Sequence, residues 1–203
     1  ENGWYPSYRF HQPDLERELR KKLKSYKKVE IRQSSNVKKI INKKNDVNII
    51  FEDINSKKIL NIKSKYLIGC DGANSITRSQ MKTKMNNLGF TQKWAVIDLI
   101  LTREKKNLPD RTIQYSNPAR PATYCRNVGK RRRWEFAIKK TEKIETILSD
   151  KYIWNFLKPC LKKNEAKMER KTIYTFQSAL AKSWKKGRIF LAGDAAHLMP
   201  PFM

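Results

Sequence analysis

The sequence predicts an α/β chain of the α+β kind, with a strand-rich block inserted into another domain. Three observations predict it. A helix-period segment stands near the start. Two apolar strands, roughly 120 residues apart, each end in an aspartate beside a glycine. The residues between them alternate mostly with strand periodicity. At 203 residues the chain is long enough to bury a real core.

The elements follow in order. Residues 1–12 are aromatic and turn-like, with Trp4, Tyr5, Tyr8 and Phe10. Pro13-Asp14 opens a helix to about Tyr26, since Pro suits the first helical position and Asp suits the helix dipole. Leu15, Leu19 and Leu23 recur every four residues and predict one buried stripe. Glu16–Arg20 and Glu18–Lys22 are i,i+4 pairs in the favourable order. Val29–Ile31, Val37–Ile41, Val47–Phe51, Ile59–Ile62 and Tyr66–Ile68 read as short strands separated by Asn/Lys turns. The run Tyr66 to Cys70 is apolar without alternation, as expected of a strand covered on both faces. A short helix and loop follow over 73–89. Trp94–Leu101, Thr112–Tyr115, Ala122–Asn127 and Arg133–Ile138 read as strands, Lys143–Leu161 as a helix, and 169–180 as one more strand. The division expected is 1–89 and 181–203 as two parts of one domain, with 90–180 as the β-rich insert.

Composition narrows the function classes. Five Trp, eight Tyr and eight Phe argue against a disordered chain. No run of about 18 apolar residues is present, which excludes a helical membrane span. Glu1 begins no secretory signal. Cys70, Cys125 and Cys160 are too few and too far apart for a disulfide framework or a zinc site, which suits a reducing, cytoplasmic setting and no metal. The net charge of +26 raises the question of a nucleic-acid partner. Lysine pairs are scattered along the whole length, and only Lys130-Arg131-Arg132-Arg133 is dense. A binding footprint is more often one face or stripe, so the charge reads as a generally basic surface. The alternative kept open is a non-catalytic basic relative that binds polyanions or nucleic acid.

Four of seven glycines, Gly69, Gly72, Gly187 and Gly193, fall within or directly beside two motifs. The first is Cys70-Asp71-Gly72-Ala73-Asn74-Ser75-Ile76-Thr77-Arg78. An Asp-Gly at the carboxyl end of a buried strand sets a carboxylate where α/β sheets bind ligands, although Asp-Gly is also a plain turn. Arg78 reads as a phosphate-directed donor or as a surface arginine. The second runs from Gly187 through Ile189-Phe190-Leu191-Ala192-Gly193-Asp194-Ala195-Ala196-His197 to Pro200-Pro201-Phe202. Its aspartate is placed to accept from sugar-like hydroxyls, and its alanines permit close approach. His197 reads as structural.

These two motifs together resemble the DG and GD motifs of the flavoprotein aromatic hydroxylases, the p-hydroxybenzoate hydroxylase family. Phe10 to Glu16, Arg120 to Thr123, Arg132 to Phe136 and Tyr174 to Pro201 resemble the 3-(3-hydroxyphenyl)propionate hydroxylase subgroup. The resemblance implies a partial FAD-binding Rossmann-like domain carrying an inserted β-sheet that covers the substrate. It implies that Gln12 hydrogen-bonds FAD and that Asp71 and Gly72 lie by its pyrophosphate, with Arg78 in the same cofactor-binding set. Gly193 and Asp194 would meet a ribityl hydroxyl, and Ala195 and Ala196 would admit the cofactor. Pro200 would sit beside the flavin ring, with its carbonyl near the substrate phenol, as the one catalytic candidate.

The reaction implied is hydroxylation of a phenolic ring with O2 and NADH or NADPH, through a flavin C4a-hydroperoxide. The partners expected are a small aromatic substrate and O2, with no membrane and no nucleic acid; a homo-oligomer is left open. A polyketide or quinone substrate is the main variation. No GxGxxG loop is present. The resemblance therefore also implies an internal fragment, inactive by itself.

Overall fold

The computed structural model describes residues 3–5 and 8–200. The elements are α1 (Gln12–Leu23), β1 (Ser35–Asn42), β2 (Val47–Asp53), β3 (Ile59–Ser64), β4 (Leu67–Gly69), α2 (Ile76–Met81), β5 (Met85–Leu101), β6 (Ile113–Tyr115), β7 (Ala122–Arg126), β8 (Arg131–Ala137), α3 (Ile144–Ile147), α4 (Asp150–Leu157), β9 (Ala166–Ala181), β10 (Lys185–Lys186), β11 (Ile189–Leu191) and β12 (His197–Leu198). Two compact units form, Glu1–Val29 with Gln92–Thr175, and Glu30–Thr91 with Phe176–Met203. The chain passes from one to the other after Val29, within β5 and again within β9.

In the first unit the strand order is β9-β5-β8-β7-β6. β5 and β8 pair antiparallel, with Trp94 opposite Ala137 and Asp98 opposite Arg133. Strand alternation sends Trp134 and Phe136 to one face, where they meet Ile97, Leu99, Tyr124, Ile153 and Leu157 in one core. Phe136 packs 4.3 Å from Phe156 between ring centroids. Arg133 and Glu135 take the opposite face.

The expected helix over Lys143–Leu161 is two helices. Ser149 interrupts it because its hydroxyl accepts from the Tyr152 N–H at 3.3 Å and starts α4 afresh. The leucine stripe of α1 is not buried: Leu15, Leu19 and Leu23 are 41%, 55% and 40% exposed. An amphipathic face needs an apolar partner, and none of the described residues supplies one. Ion pairs along its polar side remain, including the expected Glu16–Arg20 pair at 3.1 Å.

The second unit holds two three-stranded sheets. β1-β2-β3 is an antiparallel meander, and β10-β11-β4 contains a parallel pair. Ile189 lies opposite Leu67 and Leu191 opposite Gly69. Val29–Ile31 joins no strand. Ile68 is 62% exposed, so the apolar run at β4 is open on one face rather than covered on both. Continuous hydrophobicity marks the capacity for two-sided burial, and only one side is filled among the described residues. Ile40, Val47, Met81, Ile189, Leu191, Ala195 and Ala196 form this unit's core.

Candidate functional site

Both sequence motifs lie in the second unit, at the carboxyl ends of the parallel strands β4 and β11. The first is a capping system. The Asp71 carboxylate accepts from the Ser75 hydroxyl at 2.5 Å and from the Thr77 N–H at 2.8 Å. Ser75 in turn accepts from the Arg78 N–H at 2.9 Å and caps α2. Burial alone would raise the Asp71 carboxyl, but the hydrogen bonds from Ser75 and Thr77 outweigh it and hold the group below its ordinary range. Gly72 turns the chain with φ +77°. Gly69 is required for another reason: a Cβ there would stand 2.6 Å from the Thr77 Cβ, so α2 closes on the strand only over a glycine.

Arg78 joins the two motifs. Its guanidinium donates to the Ala195 carbonyl at 3.0 Å and to the Ala73 carbonyl at 2.5 Å. The second motif is a single 3-10 turn, Gly193–Ala195, entered by Gly193 at φ +59°. Ala195 and Ala196 are fully buried beneath it. Asp194 is exposed, and its carboxylate has no partner among the described residues. Nothing stands within 4 Å of where a Gly193 Cβ would be, so the backbone here is open. His197 stacks on the Trp184 indole at 5.7 Å with the planes 17° apart, in keeping with a structural role. Pro200 is buried. Pro201 and Phe202 lie outside the described residues.

Gln12 belongs to the first unit. It opens α1, and its amide donates to Glu16 at 3.0 Å. It borders a cavity of about 830 Å³. The opposite wall of that cavity is polar sheet: Asp98 accepts from Arg133 at 2.6 Å and from Arg170 at 2.8 Å. Burial raises the Glu135 carboxyl, with Asp98 adding to the effect and Arg133 opposing it.

The family model described as "FAD binding domain" matches residues 1–203. This chain belongs to that FAD-binding family. A protein of Rhodococcus jostii (strain RHA1) named "Probable NADH-specific resorcinol 4-hydroxylase" is 32% identical over 99% of this chain, which covers 38% of that relative. A "3-(3-hydroxy-phenyl)propionate/3-hydroxycinnamic acid hydroxylase" of Mycolicibacterium smegmatis is 30% identical over 98% of this chain and 34% of the relative. The FAD-binding chain thus spans little more than a third of these relatives' length. Two solved structures share the fold. Pseudomonas putida p-nitrophenol 4-monooxygenase PnpA matches with a TM-score of 0.81 at 17% identity, over 94% of this chain and 48% of the other. Aklavinone-11 hydroxylase, solved with FAD and aklavinone, matches with a TM-score of 0.73 at 16% identity, over 82% and 33%.

Sequence reading missed the polar wall. The run Lys130 to Arg133 reads as a solvated face, yet Arg132 is 2% exposed and pairs with Glu104 at 3.0 Å. The available signal was its place inside an alternating strand, with Trp134 and Phe136 directly after it.

Proposed function

We propose that the protein carrying this chain is an FAD-dependent monooxygenase that hydroxylates a phenolic ring with O2 and NADH or NADPH. The observation that carries the reading is the pair of adjacent parallel strands ending in Asp71-Gly72 and Gly193-Asp194, locked together by Arg78, with one carboxylate engaged and the other open. Family membership supports FAD as the cofactor, and the name of the Rhodococcus relative favours NADH. We assign residues 1–89 and 181–203 to the cofactor-binding part and 90–180 to the substrate part, in a cytoplasmic protein.

The residues present fit the cofactor. An exposed carboxylate beside an unobstructed glycine backbone suits a polyol chain with hydroxyl donors. When bound, FAD supplies the electron transfer and oxygen activation that side chains lack. Asp194 would accept a ribityl hydroxyl. Ala195 and Ala196 would keep the floor of that contact low. Gln12 would hydrogen-bond FAD through its amide. Asp71 would act through structure, holding Gly72 and α2 where the backbone meets the pyrophosphate. The Pro200 carbonyl would accept from the substrate phenol and so orient the ring.

The experiment is to load the whole protein with FAD and follow NADH oxidation and product mass with and without a phenol. Phenol-stimulated oxidation with one oxygen atom gained by the product is expected. NADH oxidation that no phenol stimulates, or no bound flavin, would contradict the proposal.

A further inference from the structure

In the second unit, positive charge is gathered on one edge. Four turns meet there, at 42–46, 63–66, 81–84 and 182–188, and hydrogen bonds tie them together. The Arg188 guanidinium donates to the Lys44 carbonyl at 2.8 Å and to the Lys65 carbonyl at 3.3 Å. The Asn42 amide donates to the Lys186 carbonyl at 2.7 Å, and the Lys186 ammonium donates to the Met81 carbonyl at 3.0 Å. The Lys182 N–H donates to the Lys84 carbonyl at 2.9 Å. These turns carry ten Lys and Arg against a single acid, Asp46, whereas the whole chain carries 45 against 19. Asp46 is itself paired with Lys63 at 3.2 Å. The acceptors that hold Arg188 and Lys186 are neutral carbonyls, so they compensate neither charge. All nine lysines of the edge are exposed. Two aromatic side chains stand among them, Trp184 and Tyr66, 48% and 59% exposed.

We infer that this edge docks on an anionic membrane surface. Nine of its ten cations are lysines, whose flexible stems let the ammonium groups meet diffuse negative charge without a fixed geometry. The one arginine, the residue suited to gripping a single phosphate with two donors, spends its donors on backbone carbonyls. Half-exposed Trp and Tyr side chains suit the headgroup level of a bilayer. Each ring already has a neighbour on it, His197 on Trp184 and Arg188 over Tyr66 at 5.1 Å, which disfavours the base stacking that single-stranded nucleic acid uses. No helix among the described residues is long and apolar enough to cross a membrane, so the contact inferred is at the surface. Each lysine close to an anionic bilayer adds about fivefold to its affinity, so a few acting together suffice. The inference is independent of the hydroxylase reading.

The test is co-sedimentation of the whole protein with vesicles of phosphatidylcholine, alone or with about a third phosphatidylserine. Binding to the anionic vesicles should be at least about tenfold tighter and should fall steeply as salt rises to about 0.5 M. Lys43→Gln, Lys44→Gln and Lys65→Gln together should weaken it about tenfold or more. The backbone carbonyls of Lys44 and Lys65 hold Arg188, not their side chains, so the fold should survive; a thermal melt checks this. Lys82→Gln with Lys84→Gln, on a separate turn, should weaken binding about fivefold or more. The control is Lys139→Gln, Lys140→Gln and Lys143→Gln in the first unit, where a change below about threefold is expected. Equal binding to the two kinds of vesicle overturns the inference. So does an equal loss in the control, which would assign the binding to overall charge. Release from the vesicles by a DNA duplex, with the same dependence on Lys43, Lys44 and Lys65, also overturns it and marks a nucleic-acid surface.

Discussion

Asp71 and Asp194 occupy matching places at the ends of two neighbouring parallel strands, yet the structure treats them differently. Both oxygens of Asp71 are held by Ser75 and Thr77 within six residues of chain. Asp194 makes no hydrogen bond or ion pair with any described residue, although Ala195 and Ala196 just after it are buried. The same dipeptide chemistry therefore does two jobs. One carboxylate builds the local fold, and the other is left for something the chain does not supply. A buried strand ending in Asp and Gly does not by itself say which job is done; the residues four and six positions later decide.

The largest effect should come from the packing that underlies the first motif. Gly69→Val would drive a side chain into Thr77 and should destabilise the protein by about 3 kcal/mol or more, seen as a lower denaturation midpoint. Asp71→Ala removes two hydrogen bonds and leaves Ser75 without its acceptor. A loss of about 1–3 kcal/mol in stability is expected by the same measurement. Asp194→Ala should leave the denaturation midpoint unchanged within about 0.5 kcal/mol, as for a surface change away from any cap or core.

Acid should sharpen the contrast. The folded value of Asp71 lies below its ordinary one, so its contribution is complete above the usual carboxylate range and is lost as pH falls through the folded value. The stability gap between wild type and Asp71→Asn should hold above the usual carboxylate range and close as pH falls through the folded value of Asp71, in melts over an acid pH series. Glu135 has the opposite sign. Its carboxyl is raised, so it favours folding while protonated, and that contribution fades as pH rises through its folded value. The smallest effect belongs to His197→Ala, which removes a stacking contact with Trp184. Turnover with saturating phenol should stay within about threefold of wild type, since such a ring contact is worth about 0.5–1.5 kcal/mol to the fold.

Most of the strands and the two strand-end motifs were legible because each is a local pattern: alternation, an apolar run, a turn dipeptide. β9, expected at 169–180, spans Ala166–Ala181. The exposure of the leucine stripe on α1 and of one face of β4 was not legible, because periodicity gives a face its capacity for burial and not its partner. The arginines of β8 were obscured by the overall charge. In a chain with 45 Lys and Arg, a buried guanidinium network looks the same in sequence as a basic surface. Only the register of β8 against β5, which sets Arg133 opposite Asp98, distinguishes them.

The most direct test is an FAD titration, read by flavin fluorescence, of the whole protein in its wild-type, Asp71→Asn and Asp194→Ala forms. Wild type should bind FAD. Asp194→Ala should bind about tenfold or more weakly, the scale of a lost hydrogen bond to a charged group, while Asp71→Asn changes affinity far less than it changes stability. Unchanged FAD affinity in Asp194→Ala, or a wild type that takes up no FAD, would contradict the account.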